Sequence, residues 1–420
     1  LPDKQGFSPE SGLPMSALRP LLPLLLAAGI LLGGNGIQSM LIPMRASAEG
    51  FSATNVGLIG TFYFTGFLIG CLTVQRMLRA VGHVRTFAAL AAIAAASALT
   101  LVLAIDPYVW MGLRLITGFA FAGLFTVMEA WLNAGVGNTH RARLLAIYRV
   151  VDISSASAFP YLIPVFGAMS FAIFAIASMM ITLSLVPLSL GDRSNPAAPE
   201  DVKLDLRRAW AISPVGVFGA LAAGLANGAV RSMGPLYASD IGLSEAATVT
   251  FLSLGIVGGG IVQFPLGWLS DRWDRRGAIL LVGALAAVFA LALAFWHGNE
   301  YWLFLLVFLY GCAAMPIYPL ASAHANDRAQ AGEFVLLSAA LMLFWAIGAV
   351  GGPLFAAAVM QSFGAPSLFV YVAVIHMLFV AVTLWRLGAR EAAPAEQRGE
   401  FTPFAGNPPR GLAGEDAEPR

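Results

Sequence analysis

Five ionised side chains stand inside long apolar runs: Arg114, Glu129, Arg149, Asp152 and Arg231. A charge in hydrocarbon costs about 3 kcal/mol or more, so each one requires a partner or a watery cavity. Arg149 and Asp152 are three residues apart, on one helical face, and can pair directly. Such a pair is either a structural ion pair that neutralises itself or a coupling site in which Asp152 takes up a proton when Arg149 turns to substrate. Ser154, Ser155 and Ser157 follow, giving that helix a polar face. Arg231 lies four residues after Asn227 on a shared face, and Asn35 and Gln38 add amide donors and acceptors. The amides serve equally well as interhelical hydrogen bonds.

The surroundings of these groups are set by composition. The chain has 420 residues, 58% hydrophobic and 11% charged, with mean hydropathy +0.78, against about 25% charged in soluble proteins. Too few charges exist to cover a water-soluble enzyme, so the outer surface must face lipid. A net charge of +1 offers no field for nucleic acid. Cys71 and Cys312 sit in apolar runs and suggest neither a disulfide framework nor a metal site. No glycine loop precedes a lysine to cradle phosphate, so ATP-driven transport is unsupported, and no catalytic constellation or cofactor motif is found.

A bilayer core of about 30 Å takes about 20 apolar residues as helix. Twelve stretches fit, at approximately 19–44, 52–74, 86–105, 108–131, 144–166, 168–190, 211–238, 246–269, 278–297, 300–323, 334–358 and 365–388. Of the loop arginines and lysines, only Arg45 falls on the side opposite the termini, which predicts that both termini are cytoplasmic. Residues 1–18 read as an N-terminal tail, with Met15 expected as the start, and 389–420 as a disordered tail. Residues 191–210, with Pro196 and Pro199, read as a linker between six-helix halves at 19–190 and 211–388.

An internal repeat supports that division. A shift of 192 residues matches Asn35 to Asn227, Gly36 to Gly228, Pro43 to Pro235 and Gly66 to Gly258. Asn, Gly and Pro are not the residues that apolar helices match by chance, so the halves read as copies of one unit. Arg231 aligns with Ser39. A substrate contact need occur once, whereas scaffolding tends to be duplicated with the rest.

Twelve helices in two related halves resemble the major facilitator superfamily of secondary transporters. After the eighth span, Gly267-Trp-Leu-Ser-Asp271-Arg272-Trp-Asp-Arg275-Arg276 matches its G-x-x-x-D-R-x-x-R-R loop, and Arg114-Leu-Ile-Thr-Gly118 looks like its R-x-x-x-G motif. Gly348-x-x-x-Gly352-Pro353 is similar to its antiporter-associated pattern, displaced into the second half. The segment from Met128 to Asn133, with Arg79 to Arg85, resembles an uncharacterised bacterial subgroup. The resemblance implies an all-α inner-membrane protein, a monomer, with spans one, four, seven and ten around a central path. It implies that Arg114 acts in proton coupling or in bonding to span one, and that the loop at Asp271 gates the cytoplasmic side.

In the first half, Val74 and Leu78 replace the motif's Gly and Asp, while Arg79, Gly82 and Arg85 remain. Closure is therefore expected to rest on Asp271 at the start of span five, near Arg141 and Arg143. Glu129 is expected to pair with a loop arginine, His376 to be structural, and His324 and Asp327 to lie in a loop with no special role. Three intramembrane arginines against Glu129 and Asp152 leave one positive charge over, favouring an anionic solute. The expected function is proton-coupled alternating-access transport of a small organic solute, with export preferred and symport the close alternative. A lipid flippase and a non-transporting scaffold or sensor remain open.

Overall fold

The computed structural model describes residues 22–134, 138–190, 204–272, 274–296, 298–330 and 332–387, without the side chains of 133, 134, 138–143, 190, 264, 271 and 387. The tails expected at 1–18 and 389–420, including Met15, and linker residues 191–203 lie outside these residues. The first half comprises α1 (Leu22–Ala48), α2 (Ala53–Val81), α3 (His83–Leu103), α4 (Pro107–Ala134), α5 (Asn138–Ala158), α6 (Leu162–Phe166), α7 (Phe171–Leu183) and α8 (Leu185–Leu190). A short helix, α9 (Leu206–Ile212), falls partly in the stretch read as linker. The second half comprises α10 (Pro214–Asp240), α11 (Glu245–Arg272), α12 (Arg275–Phe295), α13 (Glu300–Ala314), α14 (Ile317–Asn326), α15 (Phe334–Phe363) and α16 (Ser367–Leu387).

Eleven described helical segments are long and apolar enough to cross a bilayer, against twelve expected. The fifth span is the exception. Arg149, Asp152 and three serines lower its hydropathy, and Pro160 sits in a 3-10 turn, Phe159–Tyr161, that separates α5 from α6. The same polar residues that the sequence reading singles out make the segment a poor membrane span by composition. Several helices outrun their apolar stretches. Thus α2 continues through Gln75, Arg76 and Arg79 until Gly82, at φ 82°, caps it by donating its N–H to Leu78 O. Large apolar side chains such as Leu72, Val165, Ile261 and Trp385 remain exposed on helix surfaces, as an acyl-chain solvent requires.

The duplication is visible in the packing. Gly118 of α4 meets α2 so closely that a Cβ would lie 1.9 Å from Tyr63 O, and in the second half a Cβ on Gly311 of α13 would lie 2.0 Å from Gly255 O of α11. Gly36 of α1 abuts Ala156 of α5, and its repeat mate Gly228 of α10 abuts Ala349 of α15. Each half is thus assembled by the same small-residue crossings, where van der Waals contact replaces the hydrophobic drive missing in lipid.

Between the halves, α2 faces α15 and α5 faces α11. Thr61 Oγ1 donates to Val350 O at 3.1 Å, and Gly57 packs on Pro353 and Ala357. Ser253 Oγ donates to Ser157 O at 3.0 Å, Tyr161 Oη to Thr250 Oγ1 at 3.2 Å, and Ala168 N–H to the Glu245 carboxylate at 3.2 Å. These residues lie toward the ends of their helices remote from α9, here termed the distal end.

At the opposite end α9 is held to α15. Arg208 Nε donates to Glu333 Oε1 at 2.7 Å, and Glu333 Oε2 accepts from Gln330 N–H at 3.0 Å. The Gln330 N–H first, then the Arg208 guanidinium, hold the Glu333 carboxyl below the usual glutamate range. A carboxyl with a depressed folded-state pKa stabilises above its unfolded pKa and loses that contribution as pH falls through the folded value. The protection factors of amides in residues 204–212, measured against the intrinsic exchange rate at each pH, are therefore expected to fall on acidification below the usual glutamate pKa, and Glu333→Gln to show the lower protection at neutral pH. The second expectation concerns the crossing: Gly118→Ala should destabilise the fold by about 1–3 kcal/mol, read as a lowered melting temperature in detergent, because Tyr63 O cannot move without shifting α2.

Candidate functional site

Between the halves lies a cavity of about 160 Å³. Its walls include Asn35 and Ser39 from α1, Arg149 and Asp152 from α5, and Asn227 and Arg231 from α10. Five of the seven residues expected at a binding or coupling site therefore share one hollow. The repeat mates Asn35 and Asn227 both line it, as do Ser39 and Arg231, so the pseudo-symmetric positions differ by one guanidinium.

Arg149 Nη1 and Asp152 Oδ2 are 2.5 Å apart, with Asp152 buried and Arg149 half-buried. This confirms the pairing that the three-residue spacing predicts, and places it on the cavity wall rather than against lipid. Arg231 is exposed although it stands in the middle of α10, and its exposure is to the hollow. It has no ion-pair or hydrogen-bond partner among the described residues.

Arg114 lies beside this cavity, not in it. A smaller chamber of about 20 Å³ is walled by Arg114, Tyr63, Ser39, Arg231 and Ser232. The Arg114 guanidinium carbon sits 4.0 Å from the Tyr63 ring centroid, and Tyr63 Oη donates to Asn35 Oδ1 at 3.4 Å. Arg114 thus reaches α1 through Tyr63 of α2, and a desolvated cation on an aromatic face contributes about 2 kcal/mol. Gln38 departs from the expectation. It is 1% exposed, lines neither chamber, and both its amide atoms lack a hydrogen-bond partner. One helical turn separates it from Gly34, whose face packs against Ala177 and Ile181 of α7. The three-residue step from Asn35 leaves Gln38 rotated by about 60° from it, enough to take it off the walls of both chambers.

The Major Facilitator Superfamily model matches residues 24–333 and, in a second match, 217–413. The chain belongs to the Major Facilitator Superfamily. An "Uncharacterized MFS-type transporter" of Yersinia pestis (strain Pestoides F) is 26% identical over 377 residues, covering 87% of this chain and 95% of the relative. Among solved structures, a bacterial homolog to the human lysosomal transporter Spinster superposes with TM-score 0.73 at 14% identity, covering 92% of this chain and 99% of that one. The nucleoside transporter NupG superposes with TM-score 0.71 at 13% identity, covering 87% and 98%. These structures establish the fold. The chain is a multi-pass membrane protein of a transporter superfamily, whose members are not enzymes.

The superfamily's signature loop ends α11 and opens α12. Gly267 is buried, Arg272 is exposed with its guanidinium 4.0 Å from the Trp268 ring, and Asp274 Oδ1 accepts from Arg276 N–H at 3.1 Å. The Asp271 side chain, on which closure was expected to rest, and those of Arg141 and Arg143 lie outside the described residues. Arg275 does not reach across to the first half in its ion pair. Its Nη1 binds Asp327 Oδ1 at 2.7 Å, both side chains being 5% exposed or less. Asp327, expected to have no special role, ties the end of α14 to the start of α12 within one half. Arg276 is buried and Glu129 half-buried, both are engaged by partners, and Glu129 lines neither chamber.

Sequence reasoning missed the apolar side of the site. Phe64, Tyr310 and Trp345 also line the cavity. An aromatic residue in an apolar helix carries no contrast, and only the packing reveals it. Replacing Asp327 by Asn removes the carboxylate from a buried guanidinium, and breaking such a pair costs about 3–5 kcal/mol. Asp327→Asn should accordingly melt at lower temperature in detergent, while Asp327→Glu retains more of the stability.

Proposed function

We propose that the chain is a secondary active transporter of a small organic anion, coupled to protons and working by alternating access. Arg231 carries this reading: a guanidinium without an acidic partner faces a central hollow. A bound carboxylate would supply the missing charge and form charge-assisted hydrogen bonds. Phe64, Tyr310 and Trp345 supply an apolar wall for the solute's carbon skeleton. The α2–α15 and α5–α11 contacts close the distal side, so the state described is one of the two that alternating access needs.

Coupling resides in the Arg149–Asp152 pair. When a substrate anion draws Arg149 away, Asp152 loses its counter-ion and its protonation becomes favourable. Anion and proton then load together. That logic is symport, and we prefer it to the export suggested by the Gly348-x-x-x-Gly352-Pro353 pattern, whose glycines pack on Leu221 O and Leu225 O of α10. With both termini cytoplasmic, the distal end would be periplasmic and the solute would move inward across the inner membrane.

The test uses purified full-length chain in proteoliposomes with a panel of radiolabelled organic anions and an acid-outside pH jump. Accumulation is expected for at least one anion and should collapse with a protonophore. Arg231→Gln should lower it by about tenfold or more, since a hydrogen bond to a charged group contributes about 1.5–3 kcal/mol. Asp152→Asn should abolish gradient-driven accumulation while leaving exchange at equal concentrations. Unchanged transport in Arg231→Gln would remove the anion reading; efflux driven by an inward proton gradient would restore export.

A further inference from the structure

A second, smaller chamber adjoins the main cavity, with Ser39, Phe64 and Arg231 on the walls of both. Arg114 closes its far side. That side chain is 7% exposed, its Nε has no hydrogen-bond partner, and no ion pair reaches it among the described residues. Arg231 is close enough to repel it. The chamber's remaining polar groups are neutral: Ser39, whose hydroxyl donates to Gly36 O at 2.8 Å, Ser232, and Tyr63, whose hydroxyl donates to Asn35.

The charge balance of the hollow therefore differs from the count over the whole membrane segment. Glu129 lies on neither wall, and Asp152 is matched by Arg149. Two cations, Arg114 and Arg231, are left without a counter-charge around adjoining chambers. At about 20 Å³ the smaller chamber offers little more than the roughly 10–15 Å³ that one water-sized group requires, so only an anionic oxygen of a solute, and no skeleton, would enter it.

From this we infer that the transported solute is a dianion, one negative group seated in the small chamber between Arg114 and Arg231 and the rest of the molecule in the main cavity. The inference rests on the anion reading above and deepens it. A monoanion leaves one guanidinium uncompensated in a low-dielectric site, whereas a dianion neutralises both. Two chemistries supply such a charge, a dicarboxylate and a phosphate monoester.

The test is calorimetric titration of the detergent-purified chain with paired probes: succinate, glutarate and phthalate, each against its monomethyl ester, with glycerol phosphate as the phosphate-bearing arm. At least one dianion should bind about ten- to a hundredfold more tightly than its monoanionic counterpart, the range of one charge-assisted contact. Arg114→Gln should erase that difference and leave monoester binding in place, whereas Arg231→Gln should weaken both. Ser232→Asp, which installs a resident carboxylate with Arg114 intact, should also erase it, and so tests the idea even where Arg114→Gln fails to fold. Glycerol phosphate outcompeting the dicarboxylates would assign the phosphate chemistry. Equal affinity for every pair, unchanged in Arg114→Gln, would overturn the dianion and spare the anion reading. Loss of the preference in chloride alone would show a resident inorganic ion at Arg114, and would likewise overturn it. Failure of all anions, with Arg231→Gln silent, would instead defeat the anion reading itself.

Discussion

A guanidinium cannot be left bare in hydrocarbon, and the organisation of this protein follows from that constraint. Arg149 and Arg231 stand well inside α5 and α10, Arg114 stands two turns into α4, and all three line interior chambers. Each has a different solution. Arg149 takes a carboxylate from its own helix, Arg114 lies on an aromatic face, and Arg231 faces open space between the halves. The third solution works only where a hollow persists at the bundle centre. Glycine crossings such as Gly118 on Tyr63 and Gly311 on Gly255 compact each half, and the main cavity lies between the halves.

The scaffold is duplicated but the chemistry is not. Gly36 and Gly228, and Asn35 and Asn227, keep equivalent places, which is what a duplicated structural unit requires. Ser39 and Arg231 occupy matching places on α1 and α10 and differ by a full charge. Where α5 carries the ion pair, the equivalent region of α15 presents Trp345. The cavity lining therefore holds both ionic and aromatic side chains, a mixture suited to a solute with a charged end and a carbon skeleton.

Much of this was legible in the chain alone, for reasons that can be traced to particular residues. Long apolar runs announce helices in lipid, and charges inside them stand out, so Arg149, Asp152 and Arg231 were found by contrast. The three-residue step predicts the 2.5 Å pair because helical geometry is fixed locally. Gln38 was misplaced because facing was inferred from proximity along α1, and a step of three from Asn35 does not preserve which neighbour a side chain meets. Asp327 was passed over because a loop carboxylate looks solvated until Arg275 is seen beside it. Tyr63, Tyr310 and Trp345 were illegible, since their role depends on contacts between segments far apart in sequence.

The contacts that close the distal end differ in kind from those that hold each half together. Thr61 on Val350 O, Ser253 on Ser157 O and Tyr161 on Thr250 are neutral hydrogen bonds, each contributing about 1 kcal/mol net. Within the second half, by contrast, Arg275 and Asp327 form a buried ion pair, whose rupture costs several times more. On the alternating-access reading proposed above, a seal of weak, separable contacts across the boundary, beside strong contacts inside a half, would let the halves part without either one unfolding. A ligand with different affinity for the two arrangements would then shift the balance between them, and the unpaired arginines would supply that differential affinity.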